Sequence, residues 1–91
     1  MAFTKEDAVE RARQDLAARL SVKLDEIRQV AVKDADFPDM ALGAAVKGEM
    51  SGQMITPGWR IVLSTSGNNF EYRANQQQLR LFNFQGGNYK V

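Results

Sequence analysis

Residues 58–73, with the sequence GWRIVLSTSGNNFEYR, decide the fold. Apolar and polar side chains alternate at residues 59–64 and again at residues 70–73, which is the period of a β-strand with one buried face. Between these runs, residues 66–69 supply the Gly and Asn residues that tolerate the positive φ angles of a tight turn. The stretch therefore predicts a β-hairpin with the tryptophan on its inward face.

The regions on both sides of the hairpin extend the sheet. After a polar turn at residues 75–78 the alternation resumes, so residues 58–84 are predicted to form a three-strand meander. On the N-terminal side, residues 27–33 are rich in β-branched side chains and predict a first strand. The glycines after the meander predict a mobile tail at residues 85–91.

An amphipathic helix is predicted at residues 5–19. Thr4 followed by Asp7 is a variant of the capping box, and it marks the helix start. Apolar residues then recur at helical spacing: Ala8, Val9, Ala12, Leu16 and Leu20. The pattern predicts one α+β domain over residues 1–91, with this helix packed on a curved antiparallel sheet of about four strands.

The composition restricts the possible functions. Apolar residues make up 44% and charged residues 25% of the chain, as in an ordinary soluble globular protein, and there is no Cys and no His. Disulfides, thiolate or imidazole metal sites and the commonest general base are therefore excluded. We expect a protein that is not an enzyme and needs no cofactor, located in the cytoplasm or exported as a mature domain without its leader.

A long irregular segment at residues 34–57 separates the first strand from the meander. It contains three of the four methionines and both prolines, and we expect Phe37, Leu42 and Ile55 to anchor it to the core. Methionine suits a surface that adapts to a partner. The predicted binding residues are Met40, Met50, Gln53, Met54, Thr56 and Trp59.

Two candidate chemical sites in this segment are weak. Asp34, Asp36 and Asp39 offer oxygen ligands, but they lack the spacing and the glycine of a calcium-binding EF-hand loop. Glu49 together with one of these aspartates could form a carboxylate pair, but nothing in the sequence fixes the spacing that glycoside hydrolysis requires. The sequence therefore predicts no metal site and no catalysis.

Several motifs resemble a small bacterial family of uncharacterised domains. They comprise Phe37-Pro38-Asp39, Leu42-Gly43, Thr56-Pro57-Gly58-Trp59-Arg60-Ile61 and a hairpin with Gly67, Phe70 and Tyr72. The family pattern is (Trp/Phe)-Pro-Asp, Leu-Gly, Thr-Pro-Gly-aromatic-Arg-Ile and a Gly-x-x-Tyr-x-Tyr hairpin. Members often have Cys after the Leu-Gly, where this chain has Ala44. The resemblance implies no particular activity.

A second resemblance is one of topology. Cystatin-type inhibitors also combine a helix with antiparallel strands, and they insert a Gln-x-Val-x-Gly loop into cysteine proteases. Residues 53–58, QMITPG, are similar to that loop but one residue longer. This resemblance implies cysteine protease inhibition as an alternative function.

The leading hypothesis is a non-enzymatic module that binds a protein or peptide through residues 34–57 or through an exposed edge strand. Self-association as a homodimer is also possible, and no stretch is apolar enough to suggest a membrane partner. Single-stranded nucleic acid could bind to Arg60, Arg73 and Arg80 beside the aromatic residues of the meander. A net charge of +1 argues against that partner, because nucleic acid binding depends on many contacts between Lys or Arg and phosphate.

Overall fold

The computed structural model describes residues 3–91, which form one helix and a five-stranded antiparallel sheet. The order of the strands in the sheet follows their order in the chain, so β1 and β5 are its two edges. The elements are helix α1 (Lys5–Leu20), a 3-10 turn (Leu24–Glu26), and strands β1 (Arg28–Phe37), β2 (Thr56–Thr65), β3 (Asn68–Ala74), β4 (Leu79–Phe84) and β5 (Gly87–Lys90).

Helix α1 begins and ends with standard caps. The Thr4 hydroxyl accepts a hydrogen bond from the amide of Asp7 at 3.0 Å, and the Asp7 carboxylate accepts one from the amide of Thr4 at 3.1 Å. This reciprocal pair is the capping box that the sequence predicted. At the other end, Ser21 adopts a left-handed conformation with φ of 55° and stops the helix.

The main core lies between α1 and one face of the sheet. Ala8, Ala12 and Leu16 of the helix are fully buried against apolar side chains of the sheet. These sheet residues are Ile61, Leu63, Tyr72, Ala74, Leu79 and Leu81. The predicted α+β architecture of one helix on an antiparallel sheet is therefore confirmed, with five strands instead of about four.

Tyr72 connects the helix to the sheet through a polar contact inside this core. Its hydroxyl donates a hydrogen bond of 2.7 Å to the carboxylate of Asp15, which also pairs with Arg19 at 2.7 Å. Burial raises the pKa of Tyr72, and the hydrogen bond to the Asp15 carboxylate raises it further. The phenol therefore stays protonated and remains a donor.

The predicted mobile tail is wrong, because its residues form β5 at the second edge of the sheet. Positive φ angles at Gln85 and Gly86 turn the chain back, so that Tyr89 pairs with Leu81 of β4. The Tyr89 ring packs edge-on against Phe84 at 5.9 Å between ring centroids. The glycine therefore serves a tight turn rather than a flexible end.

Two strand boundaries also differ from the prediction. Strand β1 continues to Phe37 instead of ending at residue 33, and β2 begins at Thr56 instead of Gly58. The two extensions pair with each other, Asp36 opposite Pro57 and Phe37 opposite Thr56. The irregular segment is thereby reduced to residues 38–55. No helix in the described residues is long and apolar enough to cross a membrane.

Candidate functional site

The first part of the irregular segment, residues 38–49, covers the face of the sheet opposite α1. We call it the covering segment. Its side chains Ala41, Leu42 and Ala44 are buried, as is Phe37 at the end of β1. Phe37 and Leu42 were predicted anchors, and their burial agrees with that prediction. The sheet therefore has structure on both faces, helix on one and covering segment on the other.

Arg73 of β3 holds the covering segment at its centre. Its Nη1 donates hydrogen bonds to the carbonyl oxygens of Leu42 at 3.1 Å and Gly43 at 3.2 Å. Its guanidinium carbon lies 3.6 Å from the centroid of the Phe82 ring, within the range of a cation–π interaction. At Gly43, the φ of 65° disfavours any other residue, and a Cβ atom there would lie only 2.6 Å from Arg73 Nη1, so the guanidinium would have to shift away from the carbonyl groups it binds.

Arg80 of β4 holds the end of the covering segment through a bidentate ion pair with Glu49. The Nη2–Oε2 distance is 2.8 Å, and a second hydrogen bond joins Nη1 to Oε1. The side chains of Arg80 and Glu49 are only 7% and 16% exposed. The hydrogen bonds from Arg80, followed by the one from the amide of Val46, lower the pKa of Glu49 to about 2.

This ion pair predicts a loss of stability in acid. Because the pKa of Glu49 is lower in the folded protein than its ordinary 4.5, the pair stabilises the fold fully above pH 4.5 and loses its effect as the pH falls toward 2. In thermal denaturation, the advantage of the wild type over Glu49→Gln should shrink across this range, by about 2–3 kcal/mol at most. Glu26→Gln, at an exposed glutamate, is the control. A difference that stays constant between pH 6 and pH 2 would contradict the prediction.

The chain then leaves the sheet and forms an exposed loop at residues 50–55, which we call the methionine loop. Met50 is 96%, Met54 64% and Ile55 70% exposed. The loop is linked to the covering segment by a backbone hydrogen bond of 2.9 Å from Met40 to Gly52. The Met40 side chain lies over Gly52 and is half-exposed, so it adds to the same apolar surface.

The structure therefore places four of the predicted binding residues, Met40, Met50, Gln53 and Met54, on or beside this loop, with side chains accessible to solvent. One anchor prediction is wrong: Ile55 points outward instead of into the core. Ile55 lies one residue before the outermost β1–β2 pair, which joins Thr56 to Phe37, so strand pairing does not direct its side chain toward the core. Ile55 therefore adds one apolar side chain to the exposed surface that the sequence predicted.

The other two predicted residues, Thr56 and Trp59, line a cleft of about 610 Å³ at the start of β2. Trp59 lies opposite Asp34 in the β1–β2 pairing and packs against the main core, so its side chain is on the helix side of the sheet. The cleft is lined by Asp34, Ala35, Asp36, Thr56, Pro57, Gly58, Trp59, Asn75, Gln76 and Gln77. We call it the acidic cleft.

The three aspartates do not come together as a cluster of metal ligands. Asp34 and Asp36 face the acidic cleft, whereas Asp39 accepts hydrogen bonds from the amides of Ala41 at 2.9 Å and Gly43 at 3.0 Å. Asp39 thus stabilises the turn of the covering segment. Among residues 3–91, no group of three or more His, Cys, Asp or Glu side chains could hold a metal ion.

Sequence reasoning missed the acidic cleft, although a signal for it was present. The same-face alternation of Val30 and Val32 continues through Asp34 and Asp36, which indicates a longer strand with two carboxylates on one face. No sequence pattern indicated that the turn at residues 75–77 would line the cleft, because its position there depends on the pairing of β2 with β3.

A second groove, of about 480 Å³, runs between α1 and the free edge of β1. Val9, Ile27 and Val32 form its apolar part, and charged side chains of α1 border it. The strand edge beside it has a β-bulge at Val30 and carries Lys33, both features that discourage strand addition.

Two features bear on the alternative functions. Arg73 and Arg80 are turned into the protein and donate to carbonyl groups there, so neither is free for nucleic acid, whereas Arg60 has a half-exposed side chain that pairs with Glu71 at 3.2 Å. In the stretch that resembles the cystatin loop, residues 56–58 are paired within the sheet. That stretch therefore does not form the tip of a hairpin between two neighbouring strands.

The chain belongs to the family described as Domain of unknown function (DUF8738), whose model matches residues 9–82. The match extends from the first turns of α1 into β4, and it includes the covering segment, the methionine loop and the acidic cleft. No curated protein and no solved structure matches the chain.

Proposed function

We propose that this domain is a non-enzymatic module that binds a protein or peptide partner through the methionine loop and the adjacent Met40. The observation that carries the proposal is the concentration of exposed apolar side chains there. Met40, Met50, Met54 and Ile55 are all exposed within residues 40–55, whereas the other large exposed apolar residues among residues 3–91, Leu24, Val30 and Tyr89, lie on separate elements. Grouped apolar exposure of this kind marks interaction surfaces.

The structure around the loop favours binding over simple disorder. Arg73 and Arg80 fix the covering segment immediately before the loop, and β2 fixes the chain immediately after it. A loop with both ends held loses less conformational entropy when it binds than a free segment does. The unbranched side chains of Met50 and Met54 can still adjust to the shape of a partner.

The two groups with strongly shifted pKa values have structural explanations and support a non-enzymatic role. Glu49 is held by Arg80, and Tyr72 is buried and bonded to Asp15. Perturbed groups in an active site normally face a cleft that admits substrate. Neither Glu49 nor Tyr72 lines the acidic cleft or the groove beside β1.

A displayed library of random peptides tests the proposal without knowledge of the natural partner. Peptides selected on the wild type should bind the double variant Met50→Glu/Met54→Glu at least about tenfold more weakly, since two apolar contacts of about 1 kcal/mol each are replaced by desolvated charges. The matched control is Leu24→Glu/Val30→Glu, which changes two other exposed apolar residues. Circular dichroism should show that both variants fold.

Two outcomes would move the binding site elsewhere. Equal binding by wild type and the Met50/Met54 variant would exclude the methionine loop and favour the free edge of β1, where an extended peptide could add to the sheet. A selection that yields no specific peptide, together with a wild type that sediments as a dimer and a Met50/Met54 variant that sediments as a monomer, would identify a second copy as the partner.

A further inference from the structure

The acidic cleft carries negative charge without a positive residue in its lining. Asp34 and Asp36 are two positions apart on β1, so their side chains project from the same face, about 7 Å apart along the strand. Among the described residues that line the cleft, none is Lys or Arg. The cleft is therefore complementary in charge to a cation.

One of the two carboxylates already binds an ammonium group. Lys5 Nζ of α1 lies 3.1 Å from Asp34 Oδ1, although the Asp34 side chain is 81% exposed. An exposed pair of this kind is weak and can exchange with another cation. Asp36 is exposed and has no ion-pair partner among residues 3–91.

Trp59 gives the cleft an aromatic side. Its indole is half-buried, packs against the main core and lies opposite Asp34 in the register. A guanidinium group can stack on an indole while its N–H groups donate to a carboxylate. The combination of Trp59 with two aspartates thus suits a flat cation better than a neutral or anionic group.

The turn at residues 75–77 supplies acceptors on the remaining side. Its backbone is fixed because Asn75 Oδ1 accepts hydrogen bonds from the amides of Gln77 at 2.8 Å and Gln78 at 3.0 Å. The exposed side chains of Gln76 and Gln77 make no hydrogen bond within the described residues, so their amide oxygens are available. A guanidinium has five N–H donors to satisfy, more than one carboxylate accepts.

The cleft and the methionine loop are neighbours along the chain, because the loop ends at Ile55 and Thr56 is the next residue. Thr56 lines the cleft, and its hydroxyl donates a hydrogen bond of 2.9 Å to the carbonyl of Met54 in the loop. We propose that the acidic cleft binds an arginine side chain of the same partner whose apolar residues contact the methionine loop. This inference rests on the proposed function, since it names the chemistry of that partner.

Trp59 is the only tryptophan in the chain, so its fluorescence reports directly on the cleft. The probe is the peptide acetyl-Ala-Arg-Ala-amide at millimolar concentration and low ionic strength, and the matched probe replaces arginine by its neutral isostere citrulline. The arginine peptide should change the fluorescence of Trp59 in a saturable manner and bind at least about fivefold more tightly than the citrulline peptide. Added salt should weaken its binding.

Two variants with opposite expected effects sharpen the test. Asp36→Asn should weaken binding of the arginine peptide about fivefold, whereas Lys5→Gln should strengthen it, because the competing ammonium on Asp34 is removed. The matched controls are Asp25→Asn, in the 3-10 turn, and Lys23→Gln, just before it. They remove one negative and one positive charge outside the cleft and should have little effect on binding.

Equal binding of the arginine and citrulline peptides, or an unchanged affinity in Asp36→Asn, would overturn the inference. That result would leave the proposed function intact if selected peptides still depend on Met50 and Met54. Arginine binding that persists while no peptide depends on the methionine loop would overturn the assignment of both surfaces to one partner.

Discussion

Arg80→Ala is expected to lower the free energy of unfolding by about 3–5 kcal/mol, which is the usual cost of removing one partner from a buried ion pair. The variant would leave Glu49 as a largely buried carboxylate without its two hydrogen bonds from the guanidinium, with the exposed Lys90 at 3.4 Å as its remaining ionic partner. It would also remove the donor to the carbonyl oxygen of Ala44 at 3.3 Å. Urea denaturation at pH 7 measures the effect.

The control is Lys5→Ala, which breaks an ion pair of 3.1 Å with Asp34, whose side chain is 81% exposed. Its cost should stay below about 1 kcal/mol, because exposed pairs contribute little. Arg80→Met combined with Glu49→Leu should recover much of the stability that Arg80→Ala loses, since no buried charge is then left unpaired and Lys90, the second partner of Glu49, is 62% exposed to solvent. If Arg80→Ala lowers the free energy of unfolding no more than the control does, the covering segment is held only by Arg73 and by the segment's own apolar side chains.

Arg80→Ala should also loosen the covering segment specifically. In hydrogen exchange, the amides of residues 41–49 should lose protection before those of β2 and β3, because the ion pair joins the segment to the sheet and not the strands to one another. This local effect would link stability to function. The methionine loop follows Glu49 directly, so a loosened covering segment would no longer present Met50 in one position.

The main elements of the fold follow from local patterns in the sequence. The alternation at residues 59–64 and the helical spacing of Ala8, Ala12 and Leu16 each depend on near neighbours, and both predicted the correct buried face. The capping pair of Thr4 and Asp7 is equally local. These features could be predicted because the physical cause and the pattern lie within a few residues of each other.

The covering segment could not be predicted in this way. Arg73 and Arg80 alternate with apolar residues, and that pattern normally indicates a face in contact with water. Here the arginines are covered, because they bind carbonyl groups and Glu49 about thirty residues earlier in the chain. Such a pairing leaves no periodic signal in the sequence.

Leu16→Ala is expected to destabilise the protein by about 2–5 kcal/mol, the range for a large-to-small substitution in a packed core. The Leu16 side chain is fully buried, and it belongs to the cluster that joins α1 to β2, β3 and β4. Alanine would leave a cavity there that the fixed strands cannot close. Thermal and urea denaturation, followed by circular dichroism, give the change in unfolding free energy.

Leu24→Ala removes the same atoms from a side chain that is partly exposed, in the 3-10 turn, and should cost about 1 kcal/mol or less. Equal effects of the two substitutions would mean that α1 does not pack on the sheet through Leu16.

The acidic cleft depends on the same packing, because Lys5, the residue that binds Asp34, is held in place by α1. In the wild type, Lys5→Gln should strengthen binding of the arginine peptide. In the Leu16→Ala background the same substitution should have a smaller effect, because a mobile helix no longer keeps the competing ammonium at the cleft.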